Sequence, residues 1–81
     1  MAENILVVED DPLMLAALEI LLLDEGYEVT TASSGIEAIE LARTQNFDLV
    51  VSDVQMAEMD GIETLTNLKK QQPATRSIVI T

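Results

Sequence analysis

Eighty-one residues allow one domain at most, near the lower size at which a single core folds unaided. The chain is 48% hydrophobic but only 2% aromatic, so its core is aliphatic, and it is too apolar to be disordered. Fifteen acidic against four basic residues give a net charge of −11, which repels phosphate backbones and anionic lipid and argues against direct nucleic-acid or membrane binding.

Ile5-Leu6-Val7-Val8 is a continuous apolar run and predicts a strand buried on both faces. It is too short, and lacks the basic flank, for a secretory leader. Asp11-Pro12 predicts a helix start, with Asp as N-cap and Pro at the first helical position. Leu15, Ala16, Leu18, Leu22 and Leu23 supply helical spacing, Met14 reads as packing, and Gly26 as the stop. Leu13 to Leu23, broken by Glu19, is too short to span a bilayer, so a soluble cytoplasmic protein is expected.

A second strand is predicted over Glu28 to Ala32. Ser34 and Glu37 have capping-box spacing ahead of Ile36, Ile39, Leu41 and Ala42. Phe47 to Ser52 predicts the third strand. Ile62 to Gln71 predicts a third helix, with Ile62, Leu65 and Leu68 on one face and Pro73 beyond its end. Ser77 to Ile80 predicts a fourth strand, ahead of Thr81.

The order βαβαβαβ with short connections predicts an α/β fold with a parallel sheet and flanking helices. In such a sheet the residues just after each strand gather along one edge, where ligands bind. Glu9-Asp10-Asp11 follows the first strand and Asp53 the third. If those strands are neighbours, their carboxylates converge with no lysine or arginine nearby in sequence. Cysteine and histidine are both absent, so disulfides, zinc–thiolate sites and imidazole bases are excluded. Hard oxygen donors alone suit Mg²⁺, a common bridge between carboxylates and phosphoryl oxygens. The plainer readings differ by residue. Asp11 is expected to act as a helix cap, Asp60 before Gly61 as turn and cap, and Met56 and Met59 as loop anchors.

At these residues the chain resembles the receiver domains of response regulators in two-component signalling. Val7-Val8-Glu9-Asp10 matches a first strand ending in an acidic pair. Asp53-Val54-Gln55-Met56-Ala57-Glu58-Met59-Asp60-Gly61 matches the acceptor loop, with Ala57 where the family carries proline. Ile78-Val79-Ile80-Thr81 matches a fourth strand closed by Ser or Thr. The resemblance implies a flavodoxin-like (βα)5 fold of strand order 2-1-3-4-5, and a phosphorelay function. Asp53 would be the phospho-acceptor, its carboxylate attacking the phosphorus of a phosphohistidine on a sensor histidine kinase to form an aspartyl phosphate. Asp10 and Asp53 would ligate Mg²⁺ through their side chains and Gln55 through its carbonyl, with Glu9 reaching the ion directly or through water. Thr81 would contact the phosphoryl group and act as the switch. Such a module is not an enzyme beyond its own aspartyl phosphorylation and dephosphorylation.

The expected domain, residues 1–81, is an incomplete receiver, lacking the family's fourth helix, fifth strand and fifth helix. With them go a lysine and a switch aromatic. Arg43, Lys69, Lys70 and Arg76, expected on helices or their flanks, do not match that lysine. Strand four then becomes an edge, and self-association through that strand or a bare helix face is expected. The alternative function is an interaction or dimerisation fragment that carries no phosphate. A Mg²⁺-dependent phosphohydrolase is disfavoured, because such enzymes often place a second Asp two residues after the nucleophile, and Gln55 stands there.

Overall fold

A computed structural model describes residues 3–53 and 61–80. Its elements are β1 (Asn4–Val8), α1 (Pro12–Asp24), β2 (Glu28–Ala32), α2 (Gly35–Ala42), β3 (Leu49–Asp53), α3 (Gly61–Gln71) and β4 (Arg76–Ile80). The four strands form one parallel sheet in the order β2-β1-β3-β4. This is the predicted α/β arrangement, with β4 at one edge.

β1 is the centre of the molecule. Ile5, Leu6, Val7 and Val8 are each no more than 1% exposed, as a β-branched run flanked by strands on both sides requires. Because successive side chains point to opposite faces, Leu6, Val8 and Val50 pack with Ala38, Ala42, Phe47 and Leu68 beneath α2 and α3. On the other face Ile5, Val7 and Val51 meet Leu15, Leu18 and Leu22 of α1. Ile78, which pairs with Val51 in register, stands half exposed on that second face. On the side of α1 turned from the sheet, Leu13, Ile20 and Leu21 are exposed.

The helix boundaries follow from local chemistry. Asp11 takes extended dihedrals, and its Oδ1 accepts from the Leu13 amide at 3.0 Å while Pro12 opens the helix. At the other end Gly26 has φ of +93°. Its amide donates to Leu23 O and that of Tyr27 to Leu22 O, at 3.0 and 3.2 Å, the Schellman arrangement.

Two local expectations are corrected. Ser34 caps α2 as predicted, but the Glu37 carboxylate bonds the amide of Ser33, at 2.6 Å, one residue ahead of the reciprocal partner a capping box uses. β3 begins at Leu49 rather than Phe47. The Phe47 amide is taken by the Gln72 side chain at 2.9 Å, so it is withdrawn from the sheet ladder, although the ring stays in the core. Leu68 is buried as expected of its helix face. The side chains of Ile62 and Leu65, and all of Met56, Met59 and Asp60, lie outside the described residues.

Candidate acidic site at the ends of β1 and β3

The site follows from register. Val8 stands opposite Ser52 in the β1–β3 pair, so the next residues, Glu9 and Asp53, end adjacent central strands side by side. Asp53 is itself the last residue of β3, its backbone opposite Ile80. Thus the structure brings the Glu9-Asp10 segment and the Asp53 backbone to one edge of the sheet. Gln55 and Thr81, the other two predicted site residues, lie outside the described residues, as does the Asp53 side chain.

The three acidic residues after β1 have distinct settings. The Glu9 amide donates to Ala32 O at 3.0 Å, which carries the β1–β2 ladder one residue past Val8. Glu9 is in consequence nearly buried, 4% exposed, and its Oε2 accepts from the Asp11 amide at 3.4 Å. Asp10 is exposed at the mouth of the edge. Asp11 spends its carboxylate on the helix cap, as expected. Glu9's burial was not readable from the sequence: nothing in Val-Glu-Asp-Asp says that the ladder continues through an acidic residue.

Charge is segregated along the strands. Arg43 caps the C-terminal end of α2, Lys69 and Lys70 occupy the last turn of α3, and Arg76 opens β4. Because these helices run antiparallel to the strands, all four cations of the chain sit at the pole where strands begin. There Arg43 pairs with Glu40 at 3.6 Å, Arg76 with Glu3 at 3.4 Å, and Lys69 Nζ donates to Thr75 O at 3.1 Å. The opposite pole holds Glu9, Asp10, Asp11 and the end of β3 with no lysine or arginine. Among the described residues no three acidic side chains form a ready cation cage. Two acidic residues leave β1 and a third ends β3, and hard oxygen donors are the ligand type that Mg²⁺ takes.

Comparison with known proteins agrees with this geometry. A family model described as the response regulator receiver domain matches residues 5–81. Transcriptional regulatory protein ZraR of Escherichia coli is 49% identical over 78 residues, which cover 96% of this chain and 18% of that protein. Among solved structures, response regulator TrrA of Thermotoga maritima in complex with Mg²⁺-BeF superposes with a TM-score of 0.90 at 35% identity, over 95% of this chain and 67% of that one. A complex of histidine kinase ThkA with TrrA matches at 0.90 and 35%, over 98% and 68%. The chain therefore spans about a fifth of the curated relative and two thirds of the structural ones. Among the described residues no helix is long and apolar enough to cross a membrane.

Proposed function

The chain belongs to the response regulator receiver domain family, and from that premise we propose that it accepts a phosphoryl group on Asp53 from a phosphohistidine of a sensor histidine kinase. The observation that carries this reading is the placement of Glu9-Asp10 and the end of β3 on adjacent central strands, at the pole free of lysine and arginine. A carboxylate oxygen of Asp53 attacks phosphorus in line, the P–N bond to the imidazole breaks, and the histidine nitrogen leaves with the electron pair. An ionised carboxylate is a competent nucleophile without a base. What the reaction demands of the protein is positioning and neutralisation of charge.

The oxygen donors of this edge fit a divalent cation. Asp10, Asp53 and the carbonyl of Gln55 would hold Mg²⁺, with Glu9 behind them, and the ion would supply positive charge to the phosphoryl oxygens. Thr81 would donate a hydrogen bond to one of those oxygens and turn modification into a shift of backbone. The domain would act in the cytoplasm and modify only itself, its output passing to an effector or partner. Regulation of transcription, named for ZraR, is one such output.

A second reading has its own observation. The β3–β4 side of the sheet beside α1 leaves an open groove of about 600 Å³, lined in part by Tyr27, Leu49 and Ile78. These apolar side chains, beside Glu3, Arg76 and Ser77 in the same groove, suit with the β4 edge a domain that associates with another chain or a second copy and carries no phosphate.

The experiment is intact-mass analysis of the chain with a small phosphodonor, with and without Mg²⁺, beside Asp53→Asn. Mg²⁺-dependent addition of one phosphoryl group, lost in the variant, supports the acceptor reading. No addition, together with concentration-dependent light scattering, supports the second.

A further inference from the structure

The pole where the strands begin is closed by one amide side chain. Gln72 follows α3 directly, its own amide donating to Leu68 O at 2.8 Å. Its Nε2 donates to the carbonyls of Ala42 and Gln45, at 2.9 and 2.6 Å. Its Oε1 accepts from the Phe47 amide at 2.9 Å. Both donor hydrogens and one acceptor position of the carboxamide are thus committed to backbone 25 or more residues away in sequence. The Ala42 carbonyl is one that the end of α2 leaves without a helical partner, so the bond also completes that helix.

Thr75 secures the same corner. Its hydroxyl, 7% exposed, lies 2.7 Å from Phe47 O and 3.1 Å from Gln72 Oε1. One hydroxyl hydrogen serves the shorter contact better, so Thr75 ties the approach to β4 to the approach to β3. Its amide returns to Gln72 O at 3.0 Å. Five segments meet here: the end of α2, the turn after it, the chain ahead of β3, the end of α3 and the chain ahead of β4. The other end of α3, at Gly61, is the end nearer to Asp53 in sequence.

We infer that Gln72 is the fixed pivot of α3, holding its C-terminal end to the end of α2 and the chain ahead of β3 so that any displacement begun at the Asp53 end swings the helix about this residue. The function of the swing rests on the acceptor reading above; the fixed end does not. With its carboxamide fastened at three points to backbone, Gln72 leaves the end of α3 only the torsions of its side chain about which to turn. Sliding of α3 past the sheet would break every one of these bonds at once.

Amide hydrogen exchange under native conditions tests this on the whole chain. In the unmodified protein, protection along α3 rises from Gly61 toward Gln71, and the Phe47 amide is among the slowly exchanging ones. In Gln72→Met the gradient levels and Phe47 exchanges at least tenfold faster. Addition of Mg²⁺ and beryllofluoride to the unmodified protein changes exchange in the Gly61 half of α3 and leaves Phe47 and Thr75 as they were. A flat gradient in the unmodified protein overturns the pivot whether or not the variant folds. So does an unchanged Phe47 amide in a folded Gln72→Met, or a beryllofluoride response as large at Phe47 and Thr75 as near Gly61. If beryllofluoride alters nothing while the gradient and the variant behave as described, the pivot holds and the acceptor reading falls.

Discussion

Replacing Gly26 with alanine isolates a backbone cost from a packing cost. Gly26 sits at φ +93°, and a Cβ built there meets nothing within 4 Å. Steric collision with a neighbour is therefore absent, and only the conformational preference of the residue is changed. A left-handed backbone costs an L-residue roughly 1–2 kcal/mol. Against this, alanine loses less freedom on folding than glycine and recovers about 0.4–1 kcal/mol through the unfolded state. At the midpoints of these ranges the difference is a destabilisation of about 0.8 kcal/mol, with the sign set by the dihedral. In a domain of this size each kcal/mol moves the melting midpoint by about 4–8 °C, so a fall of about 3–6 °C is expected. Paired thermal melts and urea titrations of wild type, Gly26→Ala and Gly26→Asn measure it. Asparagine, which tolerates the left-handed region, should lie between the other two. An alanine variant melting at or above wild type would show that the Schellman turn does not hold this backbone and that the reasoning is wrong.

Other outcomes follow from the same coordinates. Asp11→Ala removes the cap on the Leu13 amide and should cost about 1 kcal/mol, read by urea midpoint, while Asp11→Asn costs a fraction of that. Leu6→Ala and Leu13→Ala delete the same atoms at 0% and 82% exposure. The first should cost about 2–5 kcal/mol and the second under about 0.5 kcal/mol, so equal melts would contradict the packing described here. Asp10→Asn should weaken Mg²⁺ binding at least tenfold by calorimetric titration with little change in melting temperature, because the side chain is exposed.

What the sequence disclosed depended on the range of the interaction. The β1 run, the Asp11-Pro12 start and the Gly26 stop are local signals, and each element begins or ends within a residue or so of where they place it. That the chain leaving β1 and the end of β3 share an edge needed only the parallel alternation and the strand order implied by the acceptor-loop resemblance. Phe47 was assigned to a strand because its hydrophobicity continues that of β3. Its amide is claimed by Gln72, and no short window contains both residues. The same distance hid the burial of Glu9, which a strand partner at Ala32 imposes. Glu37 missed by one position for a local reason: Ser33 and Ser34 both offer an amide within reach, and spacing alone does not choose between them. On α1 the helical spacing picked out Leu15, Leu18 and Leu22, which do face the sheet, but also Leu23, which is exposed, since a helix apolar on every side sets no sharp edge to its buried face.

The segregation of charge has a consequence for motion in solution. With all four cations at one end of the strands and Glu9, Asp10 and Asp11 at the other, the domain behaves as a permanent dipole laid along the sheet. A charged body approaching to within the screening length of about 8 Å at physiological salt exerts a torque on it. The domain therefore turns before it is touched, presenting the ends of β1 and β3 to whatever is positive. Raising the salt would remove this alignment while leaving every bond in the molecule in place.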